Sequence, residues 1–190
     1  MTDAKLLKDD LAYVRAAAER SGPDHVPAIY FLWASLCLCG FTLIDLVGAG
    51  SKWIGIYWLV AGPVGTGLTW WMSVRAGRRT GQADRRKGKR WVNHFLAFFA
   101  AGLLGCGLAA TGELSWSGLS SLWILLLALT YFLAGLHLER HLLPVAGALA
   151  TGYVITLFLP EYRFATAGVL VALALAVQGL RGTGNRHATN

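Results

Sequence analysis

Long apolar runs broken by short polar stretches dominate this chain. Six runs stand out, at 28–47, 53–72, 92–111, 119–138, 142–159 and 164–180, and together they hold 115 of the 190 residues. A hydrocarbon layer of about 30 Å is crossed by roughly 20 helical residues at about 1.5 Å each. Of the 27 charged residues only Asp45 falls inside a run, two positions from its end. A charge at the centre of a bilayer costs about 2.5–3.5 kcal/mol, so exclusion of this kind is what lipid imposes. The pattern predicts an all-α, polytopic membrane protein with a bundle of six transmembrane helices.

The separators fit that reading. One helix over 119–159 would have 41 residues, about twice what a bilayer holds, so Glu139-Arg140-His141 is expected to form a tight polar turn. Pro160-Glu161-Tyr162-Arg163 divides the last two runs, and its proline stops the helix. Ahead of the first run, Leu6, Leu7, Leu11, Val14 and Ala18 recur at helical spacing, with Lys5, Lys8, Asp9, Arg15 and Glu19 on the other side. This predicts an amphipathic helix over 3–21, with Thr2 or Asp3 as its N-cap and Ser21-Gly22-Pro23 as its end. Docking to a partner and lying on the lipid surface are both open to it. The resulting organisation is 1–27 as helix and linker, 28–180 as membrane domain and 181–190 as tail.

Composition sharpens the picture. The chain is 55% hydrophobic and only 14% charged, with a mean hydropathy of +0.51, whereas soluble domains carry about a quarter charged residues. Three cysteines exclude a disulfide-stapled miniprotein, and the length excludes a large multidomain enzyme. The net charge of +7 comes from 17 Lys and Arg against 10 Asp and Glu. Segments 1–27, 73–91, 139–141 and 181–190 carry 4, 8, 1 and 2 of those basic residues, and the alternate segments carry only Lys52 and Arg163. By the positive-inside rule both termini are cytoplasmic.

The charge is therefore a membrane-surface feature and not a nucleic-acid footprint. The cluster Arg85, Arg86, Lys87, Lys89 and Arg90 is expected to contact anionic lipid headgroups, or to act as a topology determinant alone. Gly77-Arg78-Arg79-Thr80-Gly81 lacks the glycine-lysine-hydroxyl ending of a phosphate loop. Val47-Gly48-Ala49 resembles a peptidase site, but 27 residues with five acids precede the first run, which favours an uncleaved anchor. Trp53 and Trp116 fall at outer span ends, and Trp70, Trp71 and Trp91 at inner ends, as interfacial belts require. Trp33, Trp58 and Trp123 lie deeper, where they pack or face lipid.

Small residues form rows that let helices approach closely: Ala97, Ala101, Gly105 and Ala109; Gly102, Cys106 and Ala110; and Ala61, Gly65 and Thr69. Pro63 is expected to kink the second span. Cys37, Cys39 and Cys106 read as small apolar residues, with no cofactor implied. Thr130, Ala134, His137 and His141 share one helical stripe, and His94 enters the third span at the same level. Two histidines four apart can bind metal, so His94, His137 and His141 are the candidates for a metal or haem site, while water or headgroups are their ordinary partners. Glu139, two residues from His137, is expected to project elsewhere. Asp45 at the opposite end and Thr130 are the candidates for an ion or solute path, with Lys52 a surface partner for Asp45. No nucleophile elbow, catalytic Cys/His pair or paired carboxylates occur, and no catalytic residue is assigned.

Three stretches carry a resemblance: Leu6-Leu7-Lys8-Asp9-Asp10-Leu11-Ala12-Tyr13-Val14-Arg15, Tyr30-Phe31-Leu32-Trp33, and Tyr131-Phe132-Leu133-Ala134-Gly135-Leu136-His137-Leu138-Glu139-Arg140. In layout the chain resembles a loosely defined family of small bacterial six-span inner-membrane proteins of unassigned function. The resemblance implies an inner-membrane location and an accessory, sensory or regulatory role, and it lends no catalytic residues. Three functions follow in order: a non-enzymatic accessory component whose helix 3–21 meets a protein partner, a small-solute permease or pore, and a metal or haem protein. Self-association is open to all three.

Overall fold

A computed structural model describes residues 26–80, 85–159 and 161–187, except the side chains of 79, 80, 85–87 and 182–187. Every regular element among these residues is helical. In chain order they are α1 (Pro27–Val47), α2 (Lys52–Thr80), α3 (Arg85–Ala110), α4 (Trp116–His137), a 3₁₀ turn (Arg140–Leu142), α5 (Leu143–Phe158) and α6 (Arg163–His187). The predicted amphipathic helix over 3–21 lies outside the described residues.

Among the described residues five stretches are long and apolar enough to cross a membrane: Pro27–Val47, Gly88–Ala110, Trp116–His137, Arg140–Phe158 and Arg163–Arg181. The sequence reading expects a sixth in α2. That helix is the longest at 29 residues, but glycines and interfacial aromatics such as Trp53, Tyr57, Trp70 and Trp71 dilute its apolarity. Helix continues beyond the expected span on the basic side. α2 reaches Thr80 and α3 starts at Arg85, so most of segment 73–91 is helical. Pro63 sits inside an α2 that is continuous from end to end.

The connections are tight. α1 ends at Gly48, which takes φ +83°, a left-handed value natural to glycine, and donates its amide to the Ile44 carbonyl at 3.0 Å. Ser115 caps α4 by accepting from the Gly118 amide at 3.0 Å. The expected polar turn at 139–141 takes the form of the 3₁₀ segment, with the Leu138 and Glu139 amides both donating to the Ala134 carbonyl.

Neighbours run in the order α2, α1, α6, α5, α4, α3, and the first and last helices share the most extensive contact. The core lies among α1, α4, α5 and α6, where Phe41, Ile124, Val145, Leu149, Phe164 and Val171 interlock with Ala34, Cys37, Ala128 and Ala167. Ile124 and Leu149 are fully enclosed, at 0% exposure. Outward-facing positions are just as apolar: Leu59 and Leu104 are 76% exposed and Phe158 is 80%. A bundle wrapped in exposed leucine, valine and phenylalanine suits a hydrocarbon surrounding and would aggregate in water.

In lipid, helices gain little from burying apolar surface, so close backbone approach has to supply the cohesion. Added methyls mark where it does. A Cβ on Gly168 would lie 2.9 Å from that of Phe41, and one on Gly152 would lie 3.1 Å from that of Ala167. One at Gly102 would fall inside the Trp123 ring. The contacting face of α3 is Gly102, Gly105 and Ala109, which are buried, while Ala97 and Ala110 are exposed. Both predicted rows of α3 thus contribute partly, because positions four apart advance by about 40° per step at 3.6 residues per turn and rotate off the contact. The α2 row holds together. Ala61 and Gly65 are buried, and Thr69 accepts a bond from Trp33 Nε1 at 2.9 Å.

Candidate functional site

Polar side chains gather at the two ends of the bundle. At the basic end, α1 begins beside the α4–α5 turn. Tyr30 Oη lies 2.7 Å from His141 Nε2, which is also 3.2 Å from Glu139 Oε2. The tight turn folds Glu139 back onto His141, so the carboxylate expected to project elsewhere joins this cluster.

His94, about two and a half turns into α3, lies with its Nε2 2.7 Å from the Thr130 carbonyl on α4. Thr130 is buried, and its hydroxyl donates to the Leu126 carbonyl at 2.7 Å. His137 is exposed at the end of α4. With Arg90, Asn93, His94, Ala97 and Leu138 it lines an open groove of about 610 Å³. His94 and His137 therefore share a groove, while His141 turns to Tyr30. No three His, Cys, Asp or Glu side chains converge to hold a metal among the described residues. Cys37 is buried and Cys39 exposed, as two positions apart on a helix dictate. Lys89 and Arg90 are exposed at this end, and Arg75 lies over the Trp71 ring at 5.5 Å. The side chains of Arg85, Arg86 and Lys87 lie outside the described residues.

No family model, characterised protein or solved structure matches this chain. The chemistry of the site therefore has to be read from its own residues.

At the opposite end Asp45 serves as a cap. Its Oδ2 accepts from the Ala165 amide at 2.6 Å, in the first turn of α6. The first amides of a helix lack intrahelical partners and carry partial positive charge, so a carboxylate there satisfies a donor and the helix dipole together. Lys52, the partner the sequence offered for Asp45, instead lies over the Trp53 ring at 5.7 Å. Asp45 sits near the end of α1 and Thr130 closer to the middle of α4, and the two make different contacts.

Beside this cap is a groove of about 690 Å³ over α4 between α3 and α5. Arg163, the first residue of α6, reaches into it. The guanidinium donates to Ser117 Oγ and, at 3.3 Å, to the Thr156 carbonyl, and it lies 5.0 Å from the centre of the Phe164 ring. Thr156 is almost wholly buried, donates to the Tyr153 carbonyl at 2.7 Å, and has Ser121 Oγ at 3.3 Å. Sequence reasoning counted Arg163 only as an outer charge. Its partner Ser117 is 46 positions away, and no local spacing marks such a pair. Tyr30 was likewise read only as part of an aromatic run.

Proposed function

We propose that this chain is a six-span protein of the bacterial inner membrane, both termini cytoplasmic, acting as a non-enzymatic accessory, sensory or regulatory component. Membrane placement is supported by the five apolar helices and by the apolar side chains that clothe the bundle. α2 is counted as the sixth span because it runs antiparallel along the length of α1. Gly40 meets Trp58, Tyr57 Oη donates to the Leu36 carbonyl at 2.7 Å, and Trp33 reaches Thr69. A helix so tied to a spanning partner spans with it. Six spans return the chain to its starting side, which agrees with the 15 basic residues assigned to one face and 2 to the other.

The observation that carries the role is the filled centre. Ile124, Val145, Leu149 and Val171 fill the space among α1, α4, α5 and α6, and the buried polar side chains of the described residues are the uncharged Ser120, Thr130, Thr156 and Gln178, whereas ion-coupled pathways place ionisable groups near the midplane. Charged side chains of the described residues keep to the ends, where a partner or the lipid surface is met. At the cytoplasmic end, residues 3–21 provide a surface for a protein partner, and the basic residues at 85–90 one for anionic headgroups. No catalytic residue or cofactor enters this reading.

Two measurements on one pair of proteins test it. Full-length chain and a 1–21 deletion are purified gently from native membranes, and each is reconstituted into vesicles. The expected outcome is a stoichiometric partner lost on deletion, with membrane insertion retained and no accelerated efflux of small neutral solutes. An identical set of partners in both preparations, together with rapid protein-dependent efflux, would favour the permease.

A further inference from the structure

The groove around Arg163 carries an inference beyond the accessory role. We propose that it binds one molecule of anionic phospholipid from the outer leaflet, headgroup phosphate on Arg163 and acyl chain along α4.

Charge is the first argument. Arg163 is half-buried, and its partners among the described residues are all neutral: a serine hydroxyl, a main-chain carbonyl and a phenyl face. None of the residues lining the groove is acidic. A guanidinium has five N–H donors in a fixed fork, so donors remain for an oxyanion, and a half-buried cation without a counterion favours one. Hydroxyls stand beside it. Accepting from Arg163 leaves the Ser117 proton to donate, and the Tyr153 hydroxyl takes no partner among the described residues.

Shape is the second. The lining runs down α4 from Ser117 to Leu125, eight residues or about 12 Å at about 1.5 Å each. Arg163 and Ser117 occupy the interfacial end with Leu108 and Leu157, which are close to the ends of α3 and α5, and Leu122 and Leu125 carry the lining further down α4. Leu108, Leu125 and Leu157 are exposed on the outer surface of the bundle, so the groove opens sideways into lipid. A cationic, hydroxyl-bearing head above an apolar, laterally open trough matches an acyl lipid. A small water-soluble anion would leave the trough unfilled.

The test uses full-length protein in detergent, with Arg85, Arg86, Lys87, Lys89 and Arg90 changed to Gln to silence the basic end. Native mass spectrometry reads the first bound dioleoylphosphatidylglycerol, with dioleoylphosphatidylcholine and glycerol 3-phosphate as comparison probes. Expected are at least fivefold tighter binding of the anionic lipid than of phosphatidylcholine, and at least fivefold loss in Arg163→Gln and in Leu125→Trp. The second variant fills the trough without touching a hydrogen bond, and it decides alone if the first does not fold. Smaller effects in the folded variants would overturn the inference. So would displacement of the lipid by glycerol 3-phosphate, which would assign the site to a free phosphate. Neither result bears on the accessory reading, whose failure shows in the deletion and efflux measurements.

Discussion

Gly102 shows how a single position sets a helix–helix distance in this protein. The Trp123 indole covers it so closely that a methyl there would occupy the space of the ring. Phe98 packs edge-on to the same indole at 5.2 Å, which blocks one route of escape. Gly107, five residues on, has nothing within 4 Å of an added Cβ and is exposed. Overpacking a tight contact costs about 1–3 kcal/mol. Gly102→Leu is therefore expected to lower the unfolding midpoint in detergent by several degrees, while Gly107→Leu leaves it unchanged. Equal midpoints for the two variants, measured by tryptophan fluorescence, would show that this contact does not set the spacing. The two small-residue rows of α3 marked this face in the sequence. Which members touch depended on rotation about the helix axis, which a four-residue spacing alone does not fix.

Between elements, the decisive links are long in sequence and short in space. Asp45 to Ala165 spans 120 positions and Tyr30 to His141 spans 111. The first joins α1 to the start of α6, and the second joins it to the α4–α5 turn, so α1 is held at both ends. Asp45→Ala removes the cap and is expected to cost about 1–2 kcal/mol of stability. Asp45→Asn keeps an acceptor oxygen and is expected to cost about half as much. Thermal melts of both variants in detergent decide this, and an Asp45→Ala chain as stable as the parent would contradict the capping role.

Helices at the apolar runs were legible because charge is excluded from each run, and five of them are long and apolar enough to cross a membrane. Helix order was not legible. Hydropathy is blind to which apolar helices touch, and neither the α1–α6 pairing nor the Arg163–Ser117 contact has a local signal. His94 and His137 line one groove. What separated them from His141 was the turn that rotates Glu139 and His141 toward Tyr30.

For the molecule as a whole, the centre is closed, the sides are apolar and the two ends differ in charge. Hydrogen bonds between membrane helices contribute only about 0.6 kcal/mol each. The Trp33–Thr69 and Tyr57–Leu36 bonds therefore orient α2 more than they hold it. Close packing at Gly40 and Gly65 supplies the rest. On the proposed six-span reading the α1–α2 hairpin decides the topology, since a hairpin that crosses twice puts the later basic segments on the side of the N-terminus, and one crossing fewer would invert all that follow. Single cysteines at Ser51, Gly88, Glu113 and Arg140, in a chain with Cys37, Cys39 and Cys106 changed to Ala, can be probed with a membrane-impermeant maleimide on intact spheroplasts. Labelling from outside at Ser51 and Glu113, with Gly88 and Arg140 reached only after permeabilisation, is the predicted result; labelling of Ser51 and Gly88 from the same side would contradict the six-span account.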